Sequence, residues 1–207
     1  MNYLDRLIAQ ELQDSLGKTV LGCRIIVLAS TRSTNDFLRQ MLKPELPEGV
    51  VIFAEEQTAG RGQRANQWHS APGQGLWFSI LLRPQIPLRE TARLTSWAAA
   101  AVKATIAQEL GLAPTIKPPN DVYLAGRKVC GVLVETTPGP GRDFAAIAGI
   151  GVNVNQSREA FPEALRERAG SLAMALGRPL DRSEFAVALL RELDRGYAEF
   201  RRPAENS

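Results

Sequence analysis

Leu4, Leu7, Ile8, Leu12 and Leu16 recur at helical spacing and Gly17 follows them, which predicts an amphipathic helix over 2–16. The β-branched run CRIIVLA at 23–29 predicts a buried strand. In STRSTNDFLRQML, Ser33 or Thr34 can cap a second helix, which must stop before Pro44. VVIFAE (50–55) and LWFSILL (76–82) read as strands, separated by an irregular segment from Glu56 to Gly75. Residues 88–110 form the clearest helix, with an alanine-rich centre, Lys103 and Glu109 outside, and Gly111 past the end. KVCGVLVE (128–135) and FAAIAGIGVNV (144–154) predict two adjacent strands joined by the Gly/Pro turn TTPGPGRD. Two helical stretches follow, 159–176 and 183–200; Asp181 and Glu184 stand at capping-box spacing before the second. No fixed-period repeat is visible.

This order lacks the strict alternation of a doubly wound parallel sheet. The expected class is α+β, with a mixed, mostly antiparallel sheet flanked by helices gathered on one side. At 207 residues the chain is expected to be one domain, 1–207. With 44% hydrophobic and 23% charged residues it has the means to bury a core. No apolar run approaches the roughly 18 residues of a membrane span, and the N-terminus has no leader pattern, so the expected location is the cytoplasm. Cys23 and Cys130 stand in unrelated contexts and read as small buried apolar residues.

Composition narrows the chemistry. His69 is the only histidine, so most zinc sites and serine or cysteine hydrolases are excluded unless they use it; in a glycine-rich loop it is given no role. Net charge is +3, too little for a nucleic-acid surface unless the basic residues cluster. Gly17-Lys18-Thr19 resembles a phosphate-loop ending, but Leu12 stands where its first glycine belongs. Gly149 and Gly151 open a dinucleotide-like pattern without its third glycine, and read as a close approach between strand backbones.

The segment 54–75 is less ordinary. Some twenty residues without regular structure inside a compact domain mark a functional loop or lid, a solvated surface loop being the plainer alternative. Its glycines let backbone N–H groups approach an anion, and Arg61 and Arg64 supply forked donors for phosphate or carboxylate. Glu55 and Glu56 cancel those two arginines, so the segment is not a polybasic nucleic-acid patch. A second constellation, Lys117, Asn120, Asp121 and Lys128, surrounds a short turn at Ala125-Gly126. If Tyr123 and Lys128 lie on paired strands, Asp121 and Lys128 come together, giving either a magnesium-and-phosphate site or an exposed ion pair. Asn153 and Asn155 alternate and would share one face.

In order, Ser33-Thr34-Asn35, Gln57-Thr58-Ala59-Gly60-Arg61-Gly62, Lys117-Pro118-Pro119-Asn120-Asp121, the run from Lys128 to Glu135 with Gly131 inside it, and Gly149-Ile150-Gly151-Val152-Asn153 resemble the biotin protein ligase family. The resemblance spans about 24–155 and implies the α+β core shared with lipoate ligases. It implies that biotin and Mg-ATP give biotinyl-5′-AMP and pyrophosphate, and that biotin then passes to a lysine of a carrier domain of acetyl-CoA carboxylase or a related carboxylase. By matching position, Ser33, Thr34, Asn35, Gln57, Arg61, Gly62, Gln63 and Lys128 would hold biotin. Arg64, Trp68, Lys117, Asn120 and Asn153 would serve the nucleotide. Lys128, with Arg61 and Asp121, would be catalytic, Lys128 supplying the central cation. No firm metal site is implied; magnesium would come on the ATP phosphates, with Asp121 the one carboxylate open to it.

The chain departs from the family pattern at Pro118, where an aromatic ring is usual, at Gln63, where an arginine is common, and at Ala65, often glycine. The residues before Ser33 read as one helix and a strand, and those after Asn153 as helices. A winged-helix DNA-binding domain and an SH3-like C-terminal domain are therefore expected to be absent, with neither DNA nor a membrane as partner and a homodimer left open. A lipoate or other acyl ligase or transferase on this core, and a non-catalytic biotin-binding module, are the alternative readings.

Overall fold

The computed structural model describes residues 6–138 and 144–201. Its strands are β1 (Arg24–Leu28), β2 (Val50–Ala54), β3 (Gly75–Leu82), β4 (Thr115–Lys117), β5 (Asp121–Leu124), β6 (Arg127–Pro138) and β7 (Phe144–Asn153). They form one sheet in the order β1-β2-β3-β7-β6-β5-β4. β1 and β2 pair in parallel, and every other neighbouring pair is antiparallel. The mixed, mostly antiparallel sheet is therefore as the hydrophobic pattern predicts. Parallel neighbours need a crossover, and α2 (Thr34–Met41) supplies it between β1 and β2.

β2 and β3 are buried at every position because both faces of the central sheet are covered, which explains why they read as continuous apolar runs. On one face Val51, Phe53, Ile80 and Ile150 pack with α1 (Ala9–Leu16), α3 (Ala92–Leu110) and α5 (Arg182–Tyr197). The alternate residues Val50, Ile52, Leu81 and Ile147 face the other way and pack with Leu38 of α2. Helices thus lie on both sides, not one, since the crossover must pass over the face opposite the long helices. No helix among the described residues is long and apolar enough to cross a membrane.

Several elements depart from expectation. β1 is an edge strand with only Ile25 buried, not a buried strand, because β2 pairs with one side of it alone. Cys23, in the turn before it, is exposed, with its thiol donating to Glu48 O at 3.2 Å; only Cys130 is the buried apolar residue expected, and burial pushes its thiol pKa up. The first helix spans Ala9–Leu16, and Leu4 lies outside the described residues. The helix predicted over 88–110 begins as a 3₁₀ turn, Leu88–Glu90, and becomes α-helical at Ala92. β6 runs on through Pro138, so the first three residues of the expected turn belong to the strand, and residues 139–143 are outside the described residues.

The stretch 159–176 is not one helix. It contains 3₁₀ turns at Arg158–Ala160 and Glu163–Leu165 and a short α4 (Leu172–Leu176). Pro162 interrupts it, and between the turns and α4 its backbone bonds to β6: Lys128 N–H donates to Arg168 O at 2.8 Å, and Gly170 N–H to Lys128 O at 3.0 Å. α5 is capped as its sequence predicts, Asp181 Oδ1 accepting the Glu184 N–H at 2.9 Å.

The flap between β2 and β3 has a fixed base. Arg182, fully buried, donates to Glu55 Oε2 at 2.8 Å and to Gly75 O at 3.1 Å, so the first turn of α5 holds both ends of the flap. Glu55 Oε1 accepts the Leu7 N–H at 2.8 Å, and Glu55 O accepts the Gly73 N–H at 3.0 Å. A buried charge left without its partner costs about 3–5 kcal/mol. Arg182→Ala should lower unfolding free energy in urea by roughly that amount, whereas the double variant Glu55→Gln/Arg182→Met should lose less.

Candidate active site

Two clefts open on the sheet, with a shared wall. The floor of the first is made of glycines: Gly131 pairs directly with Gly151, and Leu133 with Gly149. A Cβ on Gly151 would fall 2.6 Å from the Trp68 indole, one on Gly131 2.8 Å from it, and one on Gly149 2.4 Å from Asn35 Oδ1. These glycines therefore seat side chains from α2 and the flap, which corrects the reading of Gly149 and Gly151 as a close approach between strand backbones.

All eight residues expected around the small acid line this first cleft: Ser33, Thr34, Asn35, Gln57, Arg61, Gly62, Gln63 and Lys128. Ser33 is the cap of α2, accepting the Asp36 N–H at 3.4 Å, which decides between the two candidate caps. Gln57 Oε1 accepts from Thr34 N at 2.9 Å and Thr34 Oγ1 at 3.1 Å, while its Nε2 donates to Ser70 Oγ at 3.1 Å. Buried Ser79, on β3, joins Thr34 Oγ1 at 2.7 Å and donates to Asn35 Oδ1 at 2.5 Å. Asn35 Nδ2 in turn donates to Glu135 at 2.7 Å. A chain of satisfied polar groups thus lines the cleft before any ligand arrives.

Arg61 meets Glu135 with both terminal nitrogens, at 2.9 and 2.7 Å, and Asp36 at 2.7 Å; Arg39 joins the same two carboxylates at 3.0 and 3.1 Å. Burial alone would raise the Glu135 carboxyl, but the hydrogen bonds from Asn35, Arg61 and Arg39 outweigh it and hold its pKa below the ordinary 4.5. A bridge from Gln57 to Thr31 ties the flap to the fold, and bridges from Gln57 to Ser70 and from Arg61 to Gln67 pair it with itself, so it carries more regular pairing than the sequence shows.

The second cleft, of about 500 Å³, is lined by Trp68, Lys117, Asp121, Lys128 and Asn153, and by His69, Tyr123, Phe161, Leu165 and Arg168. Three aromatic rings and several cations around one cleft suit a base and a polyphosphate. Trp68 and Lys128 border both clefts. Lys128 Nζ stands 2.7 Å from Asp121 Oδ1 and 5.4 Å from the Trp68 ring centroid. The pairing of β5 with β6 brings Tyr123 opposite Lys128, with a register shift between Val122 and Tyr123, and this sets the lysine beside the carboxylate.

Of the residues expected at the nucleotide, Trp68, Lys117 and Asn153 lie at the second cleft. Asn120 lines the first, and Arg64, exposed with a left-handed backbone (φ 56°), lines neither. Asn153 is buried, and its amide donates to Gly170 O at 2.8 Å, which fixes the segment bearing Arg168. Asn155 does not share that face; beyond the end of β7 it bonds both backbone groups of Leu180. Arg168, Phe161 and Leu165 escaped sequence reading because their segment patterns as an ordinary helix. His69, to which no role was given, sits at the cleft. Among the described residues no three acidic, histidine or cysteine side chains converge to hold a metal ion.

Residues 27–155 match the model of the biotin/lipoate A/B protein ligase family. The chain is 37% identical over 198 residues to the bifunctional ligase/repressor BirA of Bacillus subtilis, covering 94% of this chain and 60% of that one. It is 33% identical over 199 residues to the biotin–[acetyl-CoA-carboxylase] ligase of Mycobacterium tuberculosis, covering 93% and 71%. A solved biotin protein ligase from Aquifex aeolicus in complex with biotin and ATP aligns with a TM-score of 0.73 at 31% identity, over 86% of this chain and 71% of that one. The chain thus spans about 60% of the length of the Bacillus relative. The matched stretch carries the capped α2, the flap, Lys128 and the glycine floor, and with them the chain belongs to the biotin/lipoate A/B protein ligase family.

Proposed function

We propose that the protein is an ATP-dependent biotin protein ligase, which activates biotin as biotinyl-5′-AMP and passes it to a lysine of a carboxylase carrier domain. The observation that carries this reading is one ammonium, on Lys128, in the wall between two clefts, one polar and floored by glycine, the other aromatic and cationic. The Mycobacterium relative is named for this activity, and the Aquifex structure holds biotin and ATP.

The chemistry explains why such a wall is needed. A biotin carboxylate oxygen attacks the α-phosphorus of ATP, a P–O bond forms, and pyrophosphate leaves. Both partners are anions, so a cation between them stabilises the charge gathered in the transition state. Lys128 is suited to this because its charge is compact, and Asp121 with the Trp68 face keeps its four-carbon stem in place. Arg168, Lys117 and His69 would face the phosphates or the base. Glycines at the floor let the Trp68 ring lie against β6 and β7, while Thr34, Asn35 and Gln57 present donors and acceptors to a flat polar ring in the cleft.

The mixed anhydride hydrolyses readily, so the flap must exclude water and later admit the carrier amine. That amine attacks the acyl carbon and AMP leaves. Asp121 already pairs with Lys128, and among the described residues no three carboxylate, histidine or cysteine side chains converge to hold a metal ion, so no resident magnesium site is assigned. Magnesium belongs to this reading as part of the ATP substrate. The reading also places the reaction in the cytoplasm, where ATP and carboxylase are found.

Lys128→Ala should reduce biotin-dependent exchange of pyrophosphate into ATP by at least about 100-fold, while calorimetry still shows biotin binding; exchange at the wild-type rate would refute the assigned cation. With biotin, Mg-ATP and an apo carrier domain, mass spectrometry should show one biotinylated lysine on the carrier. Binding of biotin without AMP release would mark a binding module, and the same reaction with lipoate but not biotin would mark a lipoate ligase.

A further inference from the structure

Arg61 and Glu135 are 74 positions apart, yet they form the closest ionic link between the flap and the sheet: Nη1 to Oε1 at 2.9 Å and Nη2 to Oε2 at 2.7 Å. Nη2 also reaches Asp36 Oδ1 at 2.7 Å. Glu135 accepts in addition from Asn35 at 2.7 Å and pairs with Arg39 at 3.0 Å. Single ion pairs at partly exposed positions contribute little, but a bidentate pair inside a network of four charged groups is the exception. The two carboxylates sit on rigid elements, α2 and β6, whereas Arg61 sits on the flap. Arg39 shares both carboxylates, so the four groups form a neutral network in which Arg61 is already engaged, and its guanidinium has little left for a phosphate. Lys128 has only Asp121 as an ionic partner among the described residues.

We infer that Glu135 is a positioning residue that latches the flap through the Arg61 side chain and, through Asn35, holds the polar wall of the first cleft in register with the closed flap. Arg61 then serves retention of the bound adenylate, not the charge of the adenylation step, and the division of labour between the two cations is set by their carboxylates. Only the substrate arm of this role depends on the ligase reading.

The latch is tested with Glu135→Gln, Arg61→Ala and the double variant. Without any ligand, trypsin should cut after Arg64 about tenfold faster in each single variant, and the double variant should be cut no faster than Arg61→Ala alone, because one link cannot be broken twice. Under turnover, KM for biotin and the release rate of biotinyl-5′-AMP should rise together by about tenfold in Glu135→Gln, with a smaller change in kcat, and again without further loss in the double variant. Cleavage at the wild-type rate in Glu135→Gln, single-variant effects that multiply, or a loss confined to kcat would overturn the inference. If Glu135→Gln fails to fold by circular dichroism, Asp36→Asn removes only the second carboxylate from Arg61 and is read by the same cleavage assay. A wild-type chain that forms no biotinyl-5′-AMP would sink the ligase reading and leave the cleavage arm to decide the latch.

Discussion

An ammonium at the end of four flexible carbons is useful between two ligands only if it is held still, and the architecture around Lys128 does this at three levels. Its backbone N–H and C=O are bonded to Arg168 and Gly170. Its Nζ lies on Asp121, brought alongside by the pairing of β5 with β6. Its charge lies over the Trp68 ring, which rests on Gly131 and Gly151. The segment that holds the lysine backbone also carries Arg168 and borders the second cleft. The wall between the clefts and the far side of the second cleft are therefore built from the same contacts.

The flap is governed at its base and its middle by different charges. At the base, Arg182 and Glu55 are withdrawn from water and act as a fixed hinge anchor. In the middle, Arg61 meets Glu135 and Asp36 at partly exposed positions, where binding is strong enough to hold and weak enough to release. A ligand that has to be covered and then handed to a protein amine needs this difference. The pKa of Glu135, held low by its three donors, keeps the carboxylate ionised near neutrality. Its contribution to stability is present above the ordinary carboxyl range and is lost as pH falls through its lowered value.

Much of this could be read along the chain, for physical reasons that differ by element. Strands buried on both faces are continuous apolar runs, so β2, β3 and β7 stand out. Ser33 and Asp181 cap helices with their own side chains, and caps are local. All eight residues expected to hold biotin line one cleft because α2, the flap and β6 meet there. β4 was not legible, since three residues carry no periodicity, and the stretch 159–176 looks helical until its backbone bonds to Lys128 are known. Arg168, Phe161 and Tyr123 face the second cleft for the same tertiary reason. Glu135 lies inside a motif that sequence reading singled out, yet its partner is 74 residues away, a distance over which no local pattern speaks. Arg64 shows the converse: an arginine in a glycine-rich loop reads as an anion ligand, but it is exposed and lines neither cleft.

One lysine would thus serve both clefts at once. That role is tested most directly by a crystal structure of the protein with biotin and a non-hydrolysable ATP analogue. Biotin should lie in the first cleft beside Thr34, Asn35 and Gln57, the nucleotide between Trp68 and Arg168, and Lys128 Nζ within about 3 Å of both the carboxylate and an α-phosphate oxygen. A nucleotide bound outside the second cleft, or a Lys128 that touches neither ligand, would contradict it.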